Sequence, residues 1–445
     1  MKTGYAQICI TPPKGVNLFG YYEKRVCKGV IDDLYARAIS FDDGEKRALI
    51  LSIDVCQLLV SQADRIRKAI SEEIGIEIGS IFVNCSHTHT GPVLEMDITG
   101  EPTDGEYEKV LFKKLLDVSL QAFISMKEST FSTGSGIAEG ISFVRRYRMK
   151  NGDVQTNPGV DNPDILCPLG TPNDTVKFLK IERSEGDTLV IVNFGTHADT
   201  VGGEYISGDW PNVVCKTIET VFENTKCIFL TGSQGDVNHI NTAPTARERK
   251  GLNYDAYDGI PRGYEHTKHM GRKVAAAVIA TLDKTEPISG DKISYSTNIV
   301  SIPSNRENDR LDEAERIIAL HKAGRDEELP YENMELTTVV AEANRICELA
   351  NGPDKFDFVL TALKLGDYVI VGLPGECFTD IGRRIEKACG LENIMVCCLT
   401  NGGDSYFPTS SAYDEGGYEA RSSQLRKGGD DILVEGAVKL IGKLL

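Results

Sequence analysis

Four of the seven histidines, His87, His89, His197 and His239, stand in loops directly after apolar runs. The runs end in "SIFVNC", "TLVIVNFG" and "KCIFLTG", and the loops read "SHTHTGP", "THADTVGG" and "SQGDVNHIN". A strand end is a rigid mount, and an imidazole there is available as a metal ligand or an acid–base group. One such histidine alone is more often an ordinary polar residue; four on successive strand ends favour a shared site. Glu376 follows the same logic in "VGLPGECFTD". It reads either as a helix-entry carboxylate or as a metal ligand or general base. Asp54, Asp209 and Asp236 also lie near strand ends, where a carboxylate can accept the second ring N–H of a ligand histidine. In "ISFVRRYRMKNGD", Arg145, Arg146 and Arg148 flank Tyr147. They read either as a solvated strand or as an arginine fork for a carboxylate or phosphate. His266 and His269, three apart on a helical stretch, and His321 read as structural or solvated.

These groups need a frame that brings distant loops together. "YARAISFDDGEKRALILSIDV" predicts two strands joined at "DDGEK". A helix follows over "SQADRIRKAISEEIG", with Ser61 as its cap and Ala63, Ile66, Ile70 and Ile74 as its apolar stripe. The strand "SIFVNC" comes next. The same order recurs in "FVLTALKLGDYVIVGLPGE", "TDIGRRIEKACG" and "ENIMVCCLT", with Ile381, Ile385 and Ala388 on one helix face and Gly390 as a stop. This is a candidate internal duplication that makes the loops around His87 and Tyr406 equivalent. The expected fold is α/β (α+β): a layered sandwich of mixed sheets flanked by helices, with a metal site at strand ends. Residues 1–445 read as a single domain, and the charged stretch 305–352 as a helical insertion or cover.

Composition sets bounds. The 445 residues are 41% apolar and 26% charged, and the net charge is -17. Such an acidic chain is a poor partner for nucleic acid or an anionic membrane. No apolar run approaches the roughly 18 residues that span a bilayer. The N-terminal stretch lacks the apolar core of a signal peptide, so a cytoplasmic protein is expected. The twelve cysteines sit mostly in apolar stretches and form no C-x-x-C pair. Buried free thiols are expected.

The order of "ITPPKG", "DDLYARAISFDDG", "LSIDV", "CSHTHTGP", "NFGTHADT…ISGDWP", "TGSQGDVN", "GLPGECFTDIGRRI" and "YFPTSSAYDEGGYEA" resembles the neutral/alkaline ceramidases, over roughly residues 4–425. The resemblance implies a zinc-dependent hydrolase of an N-acyl amide. It implies His87, His197, Glu376 and Tyr406 as metal ligands, Tyr418 as a group polarising the scissile carbonyl, and His89 and Arg145 as pocket residues. Two features depart from the family. Its "GDVSPN" serine, assigned to catalysis, is replaced by Asn238 in "GDVNHIN", with His239 at the proline, and by its position Asn238 is a candidate catalytic residue. Its C-terminal immunoglobulin-like domain is not expected here, since the sequence reads "GAVKLIGKLL" where that domain would follow.

His, His and a carboxylate leave an open zinc position, where water reaches a pKa near ~7. The leading expectation is therefore a zinc-dependent hydrolase of a soluble amide or related acyl compound, working by metal-activated water. A hydrolase or lyase of an acidic sugar at the same site is the alternative, and a non-catalytic metal-retaining binding protein a third. The expected substrate is small and polar, and anionic where the three arginines act as a fork.

Overall fold

The computed structural model describes residues 1–94, 105–249, 263–307, 309–331, 333–403 and 405–445. One arrangement occurs three times: an antiparallel hairpin, a helix, and a strand parallel to the hairpin's second strand. The first repeat comprises Tyr35–Asp42, Arg47–Ile53, helix Val60–Ile74 and strand Ile81–Cys85. The second comprises Thr175–Arg183, Asp187–Phe194, helix Asp209–Val221 and strand Thr225–Thr231. The third comprises Lys355–Leu365, Tyr368–Gly372, helix Thr379–Cys389 and strand Ile394–Cys397. The expected duplication is thus a triplication in structure.

The first two repeats occupy the two ends of one nine-stranded mixed sheet, joined through the central strands Lys2–Cys9 and Lys127–Ile137. The third, with strand Ile293–Pro303, forms a separate four-stranded sheet. Period-two alternation decides what each strand buries. Ala48, Ile50, Leu189, Ile191, Tyr368 and Ile370 enter one core shared by the two sheets. Their neighbours Leu49, Leu51, Val369 and Val371 join a second core with helix residues Ile66, Ile70, Leu111, Leu115 and Ile381. Val190, Val192 and Phe194 pack with Trp210, Val214 and Ile218 and with Met270, Val274 and Val278 of helix Tyr264–Ile279. The result is the layered α+β sandwich expected.

The carboxyl ends of the three outer strands converge. Thr231 N–H donates to Asn84 Oδ1 at 3.0 Å and Thr231 Oγ1 to the Cys85 carbonyl at 2.7 Å. Asn84 Nδ2 donates to the Cys398 carbonyl at 2.7 Å. Asn84 is fully buried, so these bonds form where water does not compete. They tie one strand end from each repeat to a single point.

Two local expectations change. Ser61 is not the cap of the first helix: Val60 already belongs to it, and Gln62 accepts the N–H of Leu59 at 2.8 Å. Ala388 is exposed, while Ile381 and Ile385 are buried and Gly390 ends the helix at φ 62°. The stretch 305–352 forms helices Leu311–Lys322 and Asn333–Ala350 with a small core of their own. All twelve cysteines are free, and most are buried. Among the described residues no helix is long and apolar enough to cross a membrane.

Candidate metal centre

Each repeat delivers one side chain to the same place. His87 follows the last strand of the first repeat, with φ at 69°. This left-handed backbone turns its side chain out of the strand path, a strain kept at functional positions. His197 follows the middle strand of the second repeat, and its carbonyl accepts the indole N–H of the fully buried Trp210 at 2.9 Å. Glu376 follows the middle strand of the third. The loop of Gln234 and Gly235 docks on its backbone, both N–H groups donating to the Cys377 carbonyl at 3.0 and 2.8 Å. Gly235 is required there, since a Cβ would stand 2.5 Å from the Glu376 carbonyl oxygen.

His87 Nε2 and His197 Nε2 lie 3.3 and 3.0 Å from the same Glu376 oxygen, Oε2. All three residues are buried. Both Nδ1 atoms face carbonyls: Cys56 at 2.9 Å for His87, Gln234 and Val237 at 3.0 Å for His197. A carbonyl only accepts, so each ring carries its proton at Nδ1 and turns an Nε2 lone pair inward. Arg145 Nη1, always a donor, stands 3.2 Å from His197 Nε2 and fits that tautomer. Two lone pairs facing a carboxylate oxygen repel unless a cation stands among them or a second proton binds.

The electrostatics agree. Burial pushes the Glu376 carboxyl up, but the two imidazoles outweigh it and hold it well below the usual carboxylate range. Burial opposes charge on His87 as well, yet Cys56 and Glu376 outweigh it and raise its pKa well above the ordinary value. His197 is pushed down by burial and by Arg145. The Glu376 carboxylate is the charge that draws a proton or a metal ion to the two imidazoles. His87, His197 and Glu376 place their ligand atoms within 4.8 Å of one another, and this donor set suits a borderline divalent ion such as zinc.

Around this core the other expected residues fall as follows. His89 turns Nε2 to within 3.3 Å of His87 Nε2, and burial keeps its ring neutral, with a pKa well below the ordinary value. Gly20, at φ 113°, presses on His89: a Cβ would lie 2.7 Å from the ring. Tyr406 is the cross-strand partner of Glu376 in a short parallel pair. The Arg145 guanidinium lies 5.4 Å from the centre of its ring. Tyr418 stacks edge-on against Tyr406 at 5.7 Å, and its hydroxyl bonds that of Tyr22 at 2.8 Å. Burial pushes the Tyr418 phenol well up, with Tyr22 adding to the effect, so it remains a neutral donor.

Three expectations are corrected. Asn238 is not among these groups in its contacts: its amide bonds Asn157 at 3.0 Å and the Ile240 N–H at 3.0 Å, a structural role in a loop corner. The arginines form no open fork. Arg145 and Arg146 are ion-paired to the fully buried Glu419 at 2.6 and 3.6 Å, and Arg146 and Arg148 to Glu415 at 3.2 and 3.9 Å. Two glutamates from the segment around Tyr418 occupy the place meant for an acidic substrate. The aspartates are not the partners of the ligand histidines. Asp54 pairs with Arg37 at 3.1 Å, Asp236 accepts from Thr379, and Asp209 accepts from two backbone N–H groups, while carbonyls hold the imidazoles.

Tyr21, Tyr22 and Glu419 escaped the reading of the sequence. Tyr21 stands edge-on to His89 at 5.5 Å under the Arg25 guanidinium, whose Nη2 also donates to the His89 carbonyl at 2.7 Å. The cue was "FGYYEKR", a glycine beside paired tyrosines with no strand pattern to account for them.

No family model matches the sequence, and no curated protein matches it. Solved structures do. Neutral ceramidase from Pseudomonas aeruginosa superposes with TM-score 0.71 at 14% identity, covering 99% of this chain and 74% of that one. A ceramidase structure described as complexed with C2 gives TM-score 0.72 at 14% identity, covering 99% and 75%. At this identity the likeness concerns the backbone, and over almost its entire length the chain has a ceramidase-like α+β fold.

Proposed function

We propose that this protein is a metal-dependent hydrolase of an N-acyl amide, with His87, His197 and Glu376 holding one zinc ion and Tyr406 beside them. The observation that carries the reading is the meeting of two inward Nε2 atoms on one carboxylate oxygen. The ceramidase-like fold and the ordered motifs support amide chemistry. An ion held there supplies Lewis acidity and a water nucleophile near neutral pH. The chain's own groups do the rest. Neutral His89 and the Tyr418 hydroxyl offer hydrogen bonds to the carbonyl oxygen as it gains charge. Tyr22 fixes the Tyr418 hydroxyl, and the Arg145–Glu419 pair holds the Tyr406 ring.

The substrate reading keeps the amide and drops the acid. An acidic sugar needed the arginine fork, which Glu415 and Glu419 fill. Tyr21, Tyr22, Tyr406 and Tyr418 cluster near the centre, and tyrosine presents both an apolar face and a hydroxyl. That combination suits a polar, neutral amide better than a long alkyl chain. The test is release of free acid from soluble N-acyl amines, N-acyl amino alcohols and ceramide in detergent, before and after chelation and zinc return. Chelator-sensitive, zinc-restored cleavage of the soluble amides is expected. Cleavage of ceramide alone removes the substrate reading, and a zinc-loaded protein that cleaves nothing is a binding protein.

A further inference from the structure

A second group of histidines lies beside the first centre and takes no part in it. His239 follows the two-residue strand Val237–Asn238 and is 1% exposed. Its Nδ1 stands 3.1 Å from Asp199 Oδ1, two residues after His197. With that nitrogen donating to a carboxylate, Nε2 is left with the lone pair. That Nε2 is buried and, among the described residues, has no hydrogen-bond partner. The His266 ring lies 5.5 Å away, centre to centre, on helix Tyr264–Ile279. Both of its ring nitrogens are also buried and, among the described residues, without partners. Burial, with His239 and His269 adding to it, lowers its pKa to about 3, so it presents a neutral imidazole. His269, one turn on, stands 5.9 Å from His266.

Three adjacent buried nitrogens without partners are rare in a folded protein and call for something that satisfies them. The chemistry narrows the occupant. A histidine that gives its second N–H to a carboxylate and aims a free nitrogen inward is the usual arrangement behind a metal ion. Neutral imidazoles select zinc, cobalt, nickel or copper over calcium or magnesium. Two imidazoles on one ion, with metal–nitrogen bonds of about 2.0–2.1 Å, set their ring centres roughly 5–6 Å apart. At the first centre the His87 and His197 rings are 4.9 Å apart.

We propose that His239 and His266 bind a second divalent transition-metal ion, with Asp199 holding His239 in register and His269 as the adjacent third imidazole. Among the described residues the ligand sets already drawn within 4.8 Å both belong to the first centre, so binding at the second requires a side-chain rotation that brings His266 toward His239. The Asp199 loop then serves both ions, since it carries His197 as well.

The experiment is metal titration of the stripped full-length protein with Zn2+ and with Co2+, by calorimetry and elemental analysis. The wild type takes up two equivalents. His239→Ala, His266→Ala and His266→Gln each keep one, and His197→Ala keeps the other. Asp199→Asn weakens the second binding event by about 10- to 100-fold. His266→Gln keeps size and polarity, and cooperative melting of that variant shows that it has folded. A single equivalent, removed by His197→Ala and untouched by His266→Gln, overturns the proposal while leaving the first centre intact. So does a cobalt-loaded crystal whose anomalous signal is confined to the first centre, with water between His239 and His266.

Discussion

His197 and Glu376 meet at 3.0 Å although 178 positions separate them and they come from different repeats. Each has its own anchor: His197 through Trp210 and the Gln234 and Val237 carbonyls, Glu376 through the loop docked on its backbone. Replacing His197 with alanine removes the ring and leaves the anchors of Glu376 in place. The His197→Ala protein is expected to melt cooperatively and to lose the zinc of the first centre, as read by calorimetry and metal analysis. Full occupancy of that centre rules the ligand set out.

Arg145 carries a consequence opposite to that of an open fork. Its guanidinium reaches Glu419, His197 and the Gly235 carbonyl at once, from a buried position. A lysine ammonium cannot span that geometry. Arg145→Lys is expected to destabilise the protein by about 1–3 kcal/mol. It should slow hydrolysis of neutral and acidic analogues by the same factor, as ratios of kcat/KM will show. A tenfold selective loss on the acidic analogue would restore the fork.

Asn238 holds a loop corner and is not a nucleophile. Asn238→Ser leaves Asn157 and the Ile240 N–H short of a partner, so a loss of about 1–2 kcal/mol is expected with metal content unchanged. The nearest loop serine, Ser233, has a buried hydroxyl turned against Gly382 of the third helix. Mass spectrometry of acid-quenched reactions should find no acyl group on residues 232–241. An adduct on Ser233 would replace water attack by a covalent route.

Tyr418 is expected to matter more than Tyr22. Tyr418→Phe keeps the edge-on packing against Tyr406 but removes the hydroxyl proposed to bond the carbonyl oxygen, and turnover should fall by about 10²–10³. Tyr22→Phe removes only the hydroxyl that orients it, so the loss should be smaller. Equal losses would make Tyr22 the donor.

The helical pair is tied to the Tyr418 segment by one buried carboxylate. Glu342 accepts from Arg421 at 2.9 Å and Arg310 at 2.7 Å. Burial raises its pKa, but the two arginines outweigh this and hold it below the ordinary value. A depressed folded-state pKa gives stability that is present above the unfolded value, near ~4.3, and lost as pH falls through the folded one. Helix Asn333–Ala350 should therefore loosen in acid, seen as faster hydrogen exchange. Glu342→Gln should bring about the same loosening at neutral pH, at a cost of about 1–2 kcal/mol because Arg421 is half exposed. Unchanged exchange in that variant would detach the helices from this contact.

The sequence carried the strands plainly because β-branched runs and Gly-rich loops mark them, and two of the repeats were readable as one pattern. The middle repeat was hidden. Its helix opens with "SGDWPNVV", where Gly208 stands at the cap position and Pro211 in the first turn. The metal-binding candidates were legible because histidines are few and stand at strand ends. Their partners were not. Carbonyls of Cys56, Gln234 and Val237 orient the rings, and a backbone oxygen leaves no mark on side-chain pattern. The arginines misled for a related reason: Glu415 and Glu419 lie some 270 positions away, and only the folded chain puts them opposite.

The three repeats also set an order of events during synthesis. The N-terminal repeats emerge first and can begin to fold. His87 and His197 then wait for Glu376, which leaves the ribosome after both of them. An ion at the proposed centre would therefore be captured only after the third repeat has emerged, and it would stabilise the three-repeat assembly by mass action rather than any early piece of it. A nascent chain stalled before residue 376 has two imidazoles and no carboxylate to close the site.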